Sequence, residues 1–498
     1  MKKKQNFFIL LSINILFSQS IPNDFRINST LNFLNDFGLG WNLNSLFKPV
    51  LFQDINTIDI SIEKEHSWYL NKLFFNYDSS NNRIRRNKNS ASKIFPGFFM
   101  QGSIYDSTKS RDELVFSIYN YLHYSFNKNV HSWLYLRITN SPKYLPRFTG
   151  FPRKKSRLGF NSGETDISGF GYLGNVFRLW IGRDRQNWGA MNFDNLAVSE
   201  NSASYDQGVF DVNINNFKYR FFYGFLETIN NGVNRYINGR GIEYNNYKNL
   251  LIGFHEIVIY SGLNRGFDFA YLNPIGTHLE IELNNRDNNF GGTGAQNAIW
   301  QFSIDYMPLN GLRLSSNFLI DELAIDSFEA DTMTNKNDIA IQNRISYSRI
   351  LSSCMTTFYF NYTYIGTYTL RHERGENNFV TRNKTLGTSL GSDLYYYNFG
   401  IRIITPWQIK LEAKLGEKKT GQNNILNNLY SPNFYLNGSS FPSGTQIKNR
   451  FLSLNLLYKL RDNFIFILDY KLEHFNKSNY NNRLTISINT QFNTSINI

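Results

Sequence analysis

Two groups of residues in this chain carry side chains suited to holding an anionic polymer. The first is a cationic run, Lys143, Arg147, Arg153, Lys154, Lys155 and Arg157, with no acid between its members and with Tyr144, Phe148 and Phe151 interleaved. Ammonium and guanidinium groups attract carboxylate and phosphate, and arginine's planar fork suits bidentate pairing. A solvated loop, or one facing lipopolysaccharide, would have the same composition. The second group is Gly182-Arg183-Asp184-Arg185-Gln186-Asn187-Trp188-Gly189. Here Arg183 and Arg185 could donate to uronate carboxylates while Trp188 offers a face for a sugar ring. In the alternative, Arg183, Asp184 and Arg185 form ion pairs that close a lumen.

The elements that position these groups are strands. Ala298, Trp300, Phe302, Ile304 and Tyr306 alternate with Ile299, Gln301, Ser303 and Asp305. After the turn Met307-Pro308-Leu309-Asn310-Gly311, Leu312, Leu314, Ser316, Phe318 and Ile320 alternate with Arg313, Ser315, Asn317, Leu319 and Asp321. A side-chain period of two, one face apolar over about ten residues, is the pattern of a strand tilted across a bilayer. Eighteen such candidates run from 95 to 492, including 158 to 168, 170 to 182, 208 to 215, 217 to 227 and 239 to 247. Short connections alternate with long ones at 183 to 207, 228 to 238, 261 to 297, 323 to 337, 366 to 391 and 418 to 446. The fold class is therefore all-β, a transmembrane antiparallel β-barrel. Its long loops are expected to face outside from the outer membrane of a Gram-negative bacterium. The loop from Ser261 to Asn297 is long enough to constrict or plug the pore.

Composition agrees. With 498 residues, 16% of them aromatic, and a mean hydropathy of -0.39, the chain is too polar for a helical membrane protein and unusually aromatic for a soluble one. Lys2, Lys3 and Lys4 before the apolar run Phe7 to Phe17, then Ser18-Gln19-Ser20, read as a signal peptide over 1–20. Its removal takes the net charge from +13 to +10, with 49 basic against 39 acidic side chains, a balance that favours acidic partners. Residues 21–94 fit the barrel rhythm poorly and are expected to form an N-terminal periplasmic segment, with 95–498 as the barrel. A single cysteine, Cys354, excludes an internal disulfide.

Catalytic patterns are missing. There is no Gly-x-Ser-x-Gly and no phosphate loop, and His255-Glu256 is followed by Ile-Val-Ile-Tyr, not by a second histidine on a helix face. Asp321 and Glu322, as neighbours on a strand, point to opposite faces. No enzyme activity, metal or cofactor is implied, and nothing points to nucleic acid. The expected partners are outer-membrane lipid and lipopolysaccharide, an acidic surface polysaccharide and, during biogenesis, the barrel-assembly machinery.

The ordered set Gly182, Arg183, Asp184, Trp188 and Gly189, then Tyr271-Leu272-Asn273-Pro274, then Asp321 closing the strand after the next hairpin, resembles the capsule assembly Wzi family. Ala190 and Met191 stand here where Pro-Gly would follow the Trp-Gly. The resemblance implies an eighteen-stranded outer-membrane barrel that holds surface polysaccharide as a lectin-like anchor, without catalysis. A diffusion porin is the alternative that the barrel pattern alone allows.

Overall fold

The computed structural model describes residues 35–38, 41, 44–48 and 93–497, less 285, 287–295, 323–337, 433–439 and single or paired residues at a few turns. The signal peptide expected over 1–20 and most of the segment expected over 21–94 lie outside the described residues.

Eighteen antiparallel strands, counted among the described residues, close into a barrel. They are β1 (Lys93–Ser107), β2 (Ser110–Ser125), β3 (Val130–Thr139), β4 (Ser162–Leu173), β5 (Phe177–Asp184) and β6 (Tyr205–Ile214). Next come β7 (Phe217–Ile229), β8 (Val233–Asn245), β9 (Leu250–Leu263), β10 (Gln296–Leu309), β11 (Leu312–Glu322) and β12 (Asp338–Leu351). The ring is completed by β13 (Cys354–Ile365), β14 (Leu394–Ile404), β15 (Ile409–Thr420), β16 (Ile447–Arg461), β17 (Phe464–Phe475) and β18 (Asn479–Asn493), which pairs back onto β1. Ile496–Asn497 extends that closing edge beside Lys93 and Ile94. Closure removes the exposed strand edges that hydrocarbon cannot satisfy.

The alternation read from the sequence sets the two faces. In the β10–β11 hairpin, Phe302, Ile304, Tyr306 and Leu314 are exposed on the outside, whereas Gln301, Ser303, Asp305, Arg313 and Asn317 are buried inside. Two boundaries differ from expectation. The strands expected at 158 to 168 and 170 to 182 are β4 and β5, whose turn is Gly174-Asn175-Val176; the Gly-rich stretch around Gly169 and Gly171 is strand interior, where β4 meets β5 closely. The long loop expected at 228 to 238 does not exist, because β7 and β8 run on to Ile229 and Val233 and leave a tight turn at Gly232, φ 81°.

The lumen is filled from both ends. From the short-turn end, the described residues 35–38, 41 and 44–48 of the segment expected as periplasmic run inside the barrel. Asp36 accepts from Arg344 (2.7 and 2.8 Å) and Arg313 (3.0 Å). Asn44 donates to Asp305 (2.6 Å), and the Leu46 N–H donates to Glu243 (2.7 Å). Trp41 and Leu46 pack with Ala190, Leu251 and Met307. From the other end, the 185–204 loop folds inward and meets the 366–393 loop, with Ser199 donating to the carbonyls of Leu386 (2.8 Å) and Gly387 (2.6 Å). Arg235 of β8 fixes the second loop by donating to the Val380 (2.8 Å) and Asn378 (2.7 Å) carbonyls. Asp393 in turn accepts from the Ser443 N–H (2.9 Å) of the 421–446 loop.

The 264–286 loop does not enter the lumen. It folds over the outer wall, where α1 (Phe269–Leu272) and α2 (His278–Leu283) cover β7 to β10. The described part of the loop expected to constrict or plug the pore therefore lies on the wall: its apolar residues Tyr271 and Ile281 match the outward aromatic face, and residues 287–295 lie outside the described residues.

Candidate functional site

Gly182 stands where β5 crosses closest to β4, and a Cβ there would lie 2.0 Å from the Ser168 carbonyl oxygen, so no larger residue fits without moving a strand. The next residue, Arg183, shares the outward face with the exposed Leu179 and Ile181, and forks onto Asp206 at 2.7 and 3.0 Å. Asp184 is buried and accepts from the Arg185 N–H at 2.8 Å. Arg185 turns inward, where it pairs with Asp166 and donates to the Ser202 carbonyl at 3.1 Å. Of the two readings of this motif, ion pairing is the one its geometry carries.

Trp188 is completely enclosed. Its ring meets Phe47 (4.9 Å) and Phe222 (5.0 Å) edge to face and lies 5.6 Å from His255. Its Nε1 donates to Gln186 (2.9 Å), and its carbonyl accepts from Gln301 (3.0 Å). Phe47 and Lys48 pair as a short antiparallel ladder with Trp188 and Asn187, and Gly189, at φ 138°, donates its N–H to the Leu46 carbonyl (2.9 Å). The sequence-based role of Trp188 as a stacking face for sugar is thereby corrected: no face of the indole is open, because the N-terminal segment and the loop close on it from opposite ends.

The other family-motif residues are scattered by the fold. Tyr271 lies on the outer wall, stacked on Tyr260 at 4.3 Å with its hydroxyl donating to Gln296 (2.9 Å). Asn273 follows α1 and accepts from the Ile275 N–H (3.1 Å), while the Pro274 carbonyl accepts from the Tyr219 hydroxyl. Asp321 faces inward and accepts from the Leu370 N–H, which ties β11 to the 366–393 loop. These positions hold loops in place and do not converge on one pocket.

The cationic run divides in two. Lys143 pairs with Glu113 at 2.6 Å. Arg147 is drawn inward to the Glu200 carbonyl (3.0 Å) and carboxylate (3.5 Å), and burial, reinforced by the nearby Arg185, lowers its pKa to about 10. Arg153, Lys154, Lys155 and Arg157 remain exposed, and none makes an ion pair among the described residues. Their loop is shaped by backbone bonds, Arg153 N–H to the Asn161 carbonyl and Arg157 N–H to the Phe160 carbonyl, both 2.7 Å. Phe151, 87% exposed, stands beside them. Composition alone does not distinguish it from Phe148, which is buried.

Fold and site together define an outer-membrane β-barrel with a filled lumen and a cationic, aromatic-flanked tip on its long-loop end. Among solved structures, the chain is similar to Wzi of Escherichia coli, an outer-membrane carbohydrate-binding β-barrel involved in group 1 capsule assembly. That match has a TM-score of 0.64 at 12% identity, over 94% of this chain and 97% of that one. Looser matches are Pseudomonas aeruginosa OprD (TM-score 0.45, 10% identity, 81% of this chain and 95% of that one) and OccK2 in complex with glucuronate (0.47, 9%, 81% and 98%). No family model and no curated protein sequence matches the chain. The likeness to Wzi that the motifs suggested therefore holds at the level of the fold.

Proposed function

We propose that this barrel binds and retains an acidic surface polysaccharide at its long-loop end, facing the outside of the cell, as a non-catalytic anchor in capsule assembly. The observation that carries this reading is the four exposed cations from Arg153 to Arg157, without an ion pair among the described residues, grouped beside Phe151 above a lumen that other segments of the chain occupy. Buried charges such as Arg137, Arg220 and Arg313 are matched by carboxylates, as their desolvation requires. These four are left available, and lipopolysaccharide phosphate or polymer carboxylate would complement them. A diffusion porin needs an open path, and no observation here favours one. Delivery to the membrane through a signal peptide and the barrel-assembly machinery belongs to the same proposal.

The test is binding of a polyuronate such as polygalacturonate to purified protein in detergent. Attraction by exposed cations is long-ranged and is screened over roughly 8 Å at physiological ionic strength. Reversal of Arg153, Lys154, Lys155 and Arg157 to Glu should weaken binding most at low salt, and Phe151→Ala should weaken it by a similar factor at every salt concentration. If both folded variants bind like the parent, the loop is not the site.

A further inference from the structure

On the outside of β8 and β9 the alternation places Arg240 and Glu256, cross-strand partners near the middle of the wall. Glu256 is the seventh of the fourteen residues of β9, and the outward residues before it, Ile252 and Phe254, are exposed and apolar. A buried guanidinium and carboxylate at this height, on the face that elsewhere meets hydrocarbon, mean that lipid does not touch this part of the wall.

The 264–286 loop occupies the place instead. His278 bonds Glu256 at 2.7 Å, and Trp300 donates to the same oxygen at 3.2 Å, so with Arg240 at 3.2 Å the carboxylate is satisfied beneath the loop. Tyr223, Tyr236, Val258 and Tyr260, all outward residues, are buried under Tyr271 and Ile281. The loop's own outer surface is apolar. Phe269 and Ile275 are 74% and 85% exposed, Phe267 and Leu279 are also exposed, and from Gly266 to Leu279 no exposed residue is charged. The Arg153 to Arg157 tip, an exposed loop of the same barrel, has the opposite character. The apolar surface is continuous with the wall, because Pro274 is held by Tyr219, the cross-strand partner of the exposed Ile242.

We propose that the 264–286 loop is a membrane-inserted flap: Phe267, Phe269, Ile275 and Leu279 contact the acyl chains of the leaflet on the long-loop side and replace the wall of β7 to β10 as its lipid-facing surface. The occupant follows from continuity with the barrel's apolar belt and from the absence of exposed charge between Gly266 and Leu279, Glu280 and Arg286 at the flap's end being paired with each other at 2.8 Å. An amphipathic element of this kind buries its apolar face at the boundary of headgroups and chains.

Nitroxide labels read this directly. In a Cys354→Ser background reconstituted in phosphatidylcholine bilayers, Phe269→Cys and Ile275→Cys are labelled separately, with Phe302→Cys as a wall control and Lys154→Cys as an aqueous control. Retention of the folded form is checked by heat-modifiability on gels. Both flap sites should collide more with dissolved oxygen than with a water-soluble nickel chelate, in the same sense as Phe302→Cys and opposite to Lys154→Cys. Nickel accessibility like that of Lys154→Cys would overturn the proposal. Low accessibility to both reagents, with dipolar broadening between labels, would also overturn it, since a second copy of the chain would then cover the flap.

Discussion

The atoms that surround Trp188 come from separate parts of the chain: Gln186 from its own loop, Gln301 from β10, Phe222 from β7, and Phe47 from the N-terminal segment. Truncation to alanine would leave a cavity that four segments must collapse to fill. A fully buried Trp→Ala change costs about 3–5 kcal/mol, and Trp188→Ala should lower the unfolding temperature of the purified barrel markedly. Trp188→Phe should recover most of the loss. If Trp188→Ala instead unfolds like the parent, the indole does not join plug and loop. The residue types of this motif were legible as distinctive, but which side of a wall a Trp stands on depends on contacts with Phe47, far away in sequence, and local pattern carries no record of them. Arg185 was open to two readings for the same reason, and its pairing with Asp166 decided between them. The buried pair of Arg240 and Glu256 went unread in the sequence, because charges at outward parity show a covered wall only once the strand register is known.

At the scale of elements, eighteen strands and most of the long loops were readable, since a period of two and clustered turn residues are local properties. Glycines misplaced the β4–β5 turn: Gly169 and Gly171 look like turn chemistry but serve close packing between strands. The lumenal course of the N-terminal segment was not readable, because its anchors are ion pairs to residues some three hundred positions away. Asp36 is the centre of that anchoring. Burial alone would raise its carboxyl, but Arg344, Arg313 and Arg402 together outweigh burial and hold its pKa below the ordinary 3.8. A depressed carboxylate contributes stability above its unfolded pKa and loses it as pH falls through the folded value. The plug should therefore stay seated at neutral and mildly acidic pH, and loosen as the pH falls below 3.8. Asp36→Asn, which takes the carboxylate from the largely buried Arg344 guanidinium while Arg313 keeps Asp305 and Arg402 keeps Glu412, at a cost of up to about 3–5 kcal/mol, should loosen it at every pH. Limited proteolysis of the folded barrel between 35 and 48 would report both, and equal resistance of Asp36→Asn and parent at neutral pH would show that the anchor lies elsewhere.

Among the described residues, segments of the chain enter the barrel from both ends. The N-terminal segment rises from the short-turn end, three long loops descend from the other, and they meet at the ladder between Phe47 and Trp188. A barrel of this width left unfilled would conduct, since large outer-membrane barrels enclose aqueous channels. On the proposed reading, an occupied lumen leaves function to the outer surfaces, the cationic tip at the rim among them. Conductance of the purified, folded protein in a planar bilayer tests this most directly. The expected result is an electrically silent membrane at low voltage, with no long-lived ohmic steps. Steady stepwise conductance by the intact parent protein would contradict a sealed barrel.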